Sequence, residues 1–191
     1  MQDTLNQLST WTSDNLMKLN AAKCNYMIFS RSKEKFATRL HIDNTVLERK
    51  YSTKILGVWI SDDMSWSRNC QETCIKAYSR MSMLTKLKYV GVQKDDLIDI
   101  YVLYIRSIAE YCSVAFHSSL TVEQSNQIER IQRTCLKVIL DEMVGLDSLY
   151  DRRVKRCLHF SLKCVKHDKS RLFPLNRTQD HSMLELVRPF Q

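Results

Sequence analysis

The adjacent carboxylates Asp62 and Asp63, which follow Ser61, are of a type that can hold a divalent metal ion. Two-metal phosphoryl transfer needs such a pair at the tip of a hairpin, joined by a third acidic group from an earlier strand. Here the pair follows an apolar strand pattern and directly precedes Trp66 and a helical pattern. Aspartates at such a place serve a helix N-terminus, by capping or through the helix dipole, so a turn is expected and not a metal centre. Cys157, His159, Cys164 and His167 have the right types for zinc. On a helix, however, Cys157 and His159 point about 200° apart and cannot share one ion. Cys164 and His167 make at most a two-ligand partial site. Cys70 and Cys74 read as core filling. No Ser/His/Asp arrangement and no glycine-rich phosphate loop is visible, and no metal ligation is expected.

Positive charge is the other chemistry on offer. The 191 residues carry 29 Lys and Arg against 21 Asp and Glu, a net charge of +8, with a pI near 9.2. The excess is segmental. Residues 66–94 hold six basic residues against Glu72, residues 95–129 hold six acids against Arg106, and residues 130–191 hold thirteen basic residues against seven acids. Arg130, Arg133 and Lys137 fall on one face of a helical pattern, as do Arg152, Arg156, His159, Lys163 and Lys166, which step by four and three. One such face is equally well a solvated surface. The same polarity on several helices fits a surface that tracks phosphates.

The elements that must position these groups are mostly helices. Apolar residues make up 44% of the chain and charged residues 26%, and only three Gly and two Pro interrupt it, which favours a globular, helix-rich chain. Seven cysteines, an odd number without secreted-domain spacing, point with the lack of a signal peptide to free thiols in a reducing compartment. No apolar run approaches the ~20 residues that span a bilayer. Residues 3–18 are expected to form a helix through Leu5, Leu8 and Trp11. Residues 24–30 read as a strand, 38–43 as a second, Asp43-Asn44 as a turn into Val46-Leu47, and 55–61 as a strand with Gly57 as its weak point. Together they suggest a small antiparallel sheet. Trp66, Cys70, Cys74, Ala77, Met81, Leu84 and Lys88 then fall at helical spacing. Residues 95–116 read as a helix apolar nearly all round, central in a bundle. Thr121 reads as the N-cap of a third helix, with Gln124 at the capping-box position and Ile128, Ile131, Cys135, Val138 and Ile139 as its buried stripe. A fourth helix is expected over about 146–168.

Five motifs recur in a telling order. They are Trp11-x8-Asn20-x2-Lys23 followed by Met27-Ile-Phe29; Lys54-x-Leu56-Gly57-Val58, followed by Asp62-Asp63-Met64-Ser65-Trp66; Glu110-Tyr111-Cys112; Glu129-x2-Gln132-Arg133; and Leu149-x2-Arg152-Arg153. In order and spacing, over roughly residues 5–170, they resemble the reverse transcriptases of non-LTR retrotransposons, the jockey-like group in particular. Ser107 and Phe116 depart from that pattern, standing where relatives commonly have Pro and Trp, and residues 141–145 form a shorter connection than usual.

The resemblance implies an α+β, mostly α fold: a small antiparallel sheet with one helix, followed by a helical thumb-like bundle. It implies the end of a polymerase palm with its primer-grip hairpin over residues 1–63, a thumb and connection region over 64–170, and a poorly ordered tail over 171–191. Lys23 would be the supporting, pyrophosphate-side lysine of the palm. Leu56, Gly57, Val58 and Trp59 would be the primer grip, and Lys76, Arg80, Arg130, Arg133, Lys137, Arg152, Arg156 and Lys163 would lie along the RNA/DNA template–primer. The catalytic aspartate pair of such a palm stands upstream of the segment that matches Trp11, and this chain begins at Met1. The expectation is therefore a fragment that holds template–primer duplex without the catalytic aspartates, partnered by the missing N-terminal palm and fingers. It would need no cofactor of its own, magnesium belonging to the complete polymerase. An intracellular place, cytoplasmic or nuclear, and no membrane partner are expected. The alternative is a non-catalytic, basic helical module that binds nucleic acid or protein and derives from a mobile element.

Overall fold

The structure, a computed structural model, describes residues 1–29, 39–140 and 146–166. His167, the 141–145 connection and the tail from 171 onward lie outside them. The protein is mostly helical with few, short strands, which is the α+β, mostly α class expected. It divides into two compact units, Met1–Ser79 and a second from Arg80 onward.

In the first unit, helix α1 (Gln2–Asp14) packs along strand β2 (His41–Ile42). The amide of Gln2 completes the strand's edge, donating to the His41 carbonyl at 2.8 Å and accepting from its N–H at 3.1 Å. The face turned inward is not the expected one. Gln2, Leu5, Ser9 and Thr12 are shielded, whereas Leu8 and Trp11 are 44% and 55% exposed. Leu40, Ile42 and Leu47 form the small core, with Leu5, Leu19, Ala21, Cys24 and Tyr26 against it.

The strands pair as three two-stranded ladders among the described residues. β1 (Asn25–Tyr26) runs parallel to β4 (Glu48–Arg49); β2 and β3 (Thr45–Val46) are antiparallel through the Asp43-Asn44 turn. The third ladder corrects the sequence reading. Residues 55–61 are not one strand: β5 (Ser52–Ile55) and β6 (Val58–Ser61) form a hairpin whose two-residue turn is Leu56-Gly57. Both turn residues have positive φ, +46° and +91°, the type I′ geometry that matches the right-handed twist of flanking strands. Gly57 serves that geometry.

α2 (Ser67–Tyr89) follows. All seven positions of its expected stripe are buried or half-buried, with Cys70, Ala77 and Leu84 fully so. Gly91, at φ +88°, ends the helix. Its N–H reaches the Lys88 carbonyl at 3.0 Å, and the Val92 N–H reaches Leu87 at 3.2 Å, the paired bonds of a Schellman cap.

The expected helix over 95–116 is broken. α3 (Lys94–Ile100) passes into a π-helical segment, Tyr101–Arg106, then α4 (Ser107–Glu110). Cys112, at φ +54°, interrupts the chain before α5 (Ser113–Phe116) and a 3-10 turn, His117–Ser119. The π segment has a cause in the sequence. Leu97, Tyr101, Ile105 and Ala109 recur every four residues, a step that drifts about 40° around an ordinary helix. The wider π turn absorbs the drift, and all four are at most 1% exposed. Leu103 and Tyr104 face outward at 66% and 52% exposure, so this segment is not apolar-packed all round.

α6 (Val122–Leu140) opens on the expected capping box. The Gln124 N–H donates to Thr121 Oγ1 at 3.2 Å, and the Thr121 N–H donates to Gln124 Oε1 at 3.1 Å. Ile128, Ile131, Cys135 and Ile139 are buried as expected. α7 (Leu149–Lys166) starts at a cap the sequence reading passed over. The Asp151 N–H donates to Ser148 Oγ at 3.0 Å, and that hydroxyl donates back to Asp151 Oδ2 at 2.6 Å. α7 packs against α4, α5 and α6. Among the described residues, no helix is long and apolar enough to cross a membrane. All seven cysteines are free thiols.

Candidate nucleic-acid interface

The second unit is organised around a buried carboxylate. Glu110 ends α4 with its side chain only 3% exposed. A lone charge at such a place would be costly, and two arginines from α7 compensate it. Arg152 binds the carboxylate in a fork, with Nε on Oε1 and Nη2 on Oε2 at 3.3 Å. Arg156 donates from Nη2 to Oε2 at 2.8 Å and from Nη1 to the Glu110 carbonyl at 3.4 Å. The hydrogen bond to Glu110 holds the Arg152 guanidinium above its ordinary pKa.

A second carboxylate performs a different task. Glu129, on α6, accepts the backbone N–H groups of Leu149 at 3.3 Å and of Tyr150, and so caps the first turn of α7 from outside it. An acceptor there satisfies donors that have no partner within the helix and meets the positive end of its dipole. Arg153, fully buried, lies 3.8 Å from Glu129 and donates to Ser125 Oγ at 2.9 Å. Gln132, one turn further along α6, accepts from the Tyr101 hydroxyl at 2.9 Å and donates to the Asp147 carbonyl at 3.0 Å. Burial holds the Tyr101 hydroxyl well above its ordinary pKa, so it stays a donor.

The sequence-predicted binding residues therefore divide. Arg152 and Arg156 are engaged with Glu110, although half of the Arg156 side chain is exposed. Arg80 donates at 3.0 Å to the Tyr104 carbonyl within the π segment. Arg130, Arg133 and Lys137 stand exposed along α6, and Lys163 stands exposed on α7. Lys76 is exposed on α2 and belongs to the other unit. In that unit the hairpin tip, Leu56, is 88% exposed, and Val58 is buried. Trp59 lies under the Arg68 guanidinium, 3.7 Å from the ring centroid, and its backbone N–H donates to Asn69 Oδ1 at 3.1 Å. Lys23 ends a 3-10 turn, Ala21–Lys23, with its side chain in solvent.

Along α7, Arg152, Lys155, Arg156, His159 and Lys163 rim an open groove of about 570 Å³ over Val114 and Phe160. Lys155 pairs with Asp147 at 2.8 Å, which lowers the carboxyl's pKa. Phe160 and Lys155 were absent from the sequence-derived site. Both fall at positions that alternate with the basic stripe, so the helical spacing itself could have found them. Asp63 accepts the Ser65 N–H at 2.9 Å and shapes the turn into α2. Among the described residues, no three of His, Cys, Asp or Glu lie together as a metal site.

No protein-family model, no curated protein and no solved structure matches this chain.

Proposed function

We propose that this chain is part of a reverse-transcriptase-like polymerase of the retrotransposon type, and that its work is to hold nucleic acid through backbone phosphates. One observation carries the reading. Glu110, Glu129-x2-Gln132 and Leu149-x2-Arg152-Arg153, three of the motifs on which the resemblance rests, are far apart in sequence, yet the first two both bond at the start of α7, Glu110 to Arg152, Glu129 to Arg153 and the Leu149 N–H, and Gln132 to the Asp147 carbonyl just before it. That residues which carry the resemblance also converge in space supports the reading. Their engagement leaves Arg130, Arg133, Lys137 and Lys163 exposed, a basic surface suited to phosphates without sequence preference. In this reading the Leu56-Gly57 turn is the tip of a primer-grip hairpin and Lys23 the pyrophosphate-side lysine. Asp62 and Asp63 take no catalytic part, and the chain alone does not extend a primer.

The test is the salt dependence of binding to an RNA·DNA hybrid. Charge reversal of Arg130, Arg133 or Lys163 is expected to lower the slope of log K against log salt by about 0.9 for each phosphate no longer neutralised. An unchanged slope in all three variants, or no binding of the hybrid at about 50 mM salt, refutes the proposal. Arg152 and Arg156 are unsuited to this test, because reversing them breaks the Glu110 cluster.

A further inference from the structure

We infer that two copies of this chain pair through the edge of β1 that faces away from β4, an inference that stands apart from the nucleic-acid reading. β4 is the one neighbour of β1 among the described residues, and an isolated ladder of two strands is marginal in water. That ladder fixes where the main-chain groups of β1 point. The Tyr26 carbonyl accepts the Lys50 N–H at 2.9 Å, so the main chain of Tyr26 faces β4. Successive residues of a strand turn their N–H and C=O groups to opposite edges, hence those of Asn25 and Met27 face the other way. The side chains divide as well. Cys24 and Tyr26 pack on the core of Leu40, Ile42 and Leu47, whereas Asn25 is exposed and Phe29 is 52% exposed. The strand pattern of the sequence continues past Tyr26 through Met27, Ile28 and Phe29, where no ladder accompanies it among the described residues.

The observations favour a second copy as the occupant of this edge. Edges are commonly guarded by charge, by proline or by a covering group. Gln2 covers the edge of β2, and β4 carries Glu48 and Arg49, but Cys24 to Phe29 hold neither charge nor proline. In a chain of net charge +8, this neutral stretch lets two copies meet without like charges in contact. The edge is also self-complementary. A two-fold axis beside Tyr26 sets the two strands antiparallel, and Asn25 of each copy then exchanges N–H···O bonds with Met27 of the other. Such pairing uses the same edge of both copies, so it closes at a dimer.

The experiment is sedimentation equilibrium of the full chain at about 150 mM salt, which screens the net charge of each copy beyond about 8 Å. Concentrations run from about 1 μM to about 500 μM, the range suited to an interface well under ~1,200 Å². The weight-average mass is expected to rise from the 22.5 kDa of one chain toward twice that value. Met27→Pro, which removes a main-chain donor from the edge, should leave the chain monomeric throughout. Met27→Lys keeps the donor but sets a charge at the seam, and should weaken the dimer about 10-fold, since the change enters twice. Met27→Val, neutral and β-branched, should pair at least as well as the parent chain. Circular dichroism checks that each variant keeps its helices. Hydrogen exchange locates the contact: the amides of Asn25 and Met27 should gain protection as the concentration rises. A parent chain that stays monomeric at about 500 μM overturns the inference and leaves the edge to a different polypeptide. So does a dimer that survives both Met27→Pro and Met27→Lys, or protection gained only away from residues 24–29. None of these outcomes bears on hybrid binding, which the salt-dependence test decides separately.

Discussion

Removing the Glu110 carboxylate should cost the second unit a large share of its stability. In Glu110→Ala the guanidiniums of Arg152 and Arg156 lose the acceptor that they share. Breaking a buried ion pair by deleting one partner typically costs about 3–5 kcal/mol. Here the arginine side chains are 27% and 49% exposed, so both can regain water once the carboxylate has gone. That places the loss near the lower end, about 3 kcal/mol. With a urea m-value of about 2 kcal/mol/M, the unfolding midpoint followed by far-UV circular dichroism should fall by about 1.5 M. Glu110→Gln keeps an acceptor for one arginine and should lose about half as much.

A double-mutant cycle separates this explanation from simple loss of packing. Arg152→Ala alone removes the forked partner, and Glu110→Ala with Arg152→Ala removes both. The double variant should be less destabilised than the sum of the singles by about 1–3 kcal/mol. Lys163→Ala, on the same helix and exposed, should change stability by less than about 0.5 kcal/mol. Additivity of Glu110 and Arg152 within about 0.5 kcal/mol would refute the clamp.

Two further outcomes are expected. Leu56→Asn should stabilise the β5–β6 hairpin by about 0.5–1 kcal/mol, because Asn tolerates the positive φ that Leu56 now adopts; Gly57→Ala should destabilise it by about 1–2 kcal/mol. The urea midpoint read by tryptophan emission checks both, and a Gly57→Ala variant as stable as the parent argues against the type I′ turn. His117 has its Nδ1 buried without a partner and its ring edge-on to Tyr150 at 5.3 Å; burial first, and Arg153 second, lower its pKa. The unfolded chain therefore takes up this proton first as the pH falls. Stability is complete above the unfolded value of about 6.5 and declines as the pH drops below it toward the lower folded value. His117→Gln should flatten the decline between about pH 5 and pH 7; an unaltered pH profile would exclude His117 as its source.

What could be read from the sequence was whatever depends on neighbours in the chain. The α6 capping box and its buried stripe, the α2 stripe and the Asp43-Asn44 turn are short-range patterns, and they are found where expected. Misreadings arose where a local pattern had two physical realisations. Leu56-Gly57 sits in an apolar run that reads as one strand, because Leu is an unusual residue at positive φ and so hides the turn. The four-residue recurrence of Leu97, Tyr101, Ile105 and Ala109 reads as an ordinary helix, although the repeat itself demands a wider turn. On α1 the apolar Leu5–Leu8–Trp11 spacing reads as the core face, but Ser9 and Thr12 turn inward because their hydroxyls find partners, Asp43 Oδ1 at 3.4 Å and the Ser9 carbonyl at 2.9 Å.

The basic stripe of α7 shows the deeper limit of periodicity. Spacing alone makes Arg152, Arg156, His159 and Lys163 equivalent, since all lie on one face of the helix. What distinguishes them is Glu110, 42 and 46 residues away from the two arginines, an acid placed in an otherwise apolar helical run. A carboxylate at a core position must find cations, so its presence in such a run signals that some of the chain's positive charge is engaged internally. Arg152 and Arg156 are that charge. The remainder of the stripe, His159 and Lys163 beside Phe160, begins one turn beyond the clamp, and the groove along the same helix is rimmed by clamp and remainder together. Charge is thus divided along a single helix: residues nearest the Glu129 cap hold the fold, and past Arg156 the side chains of His159, Lys163 and Lys166 stand exposed.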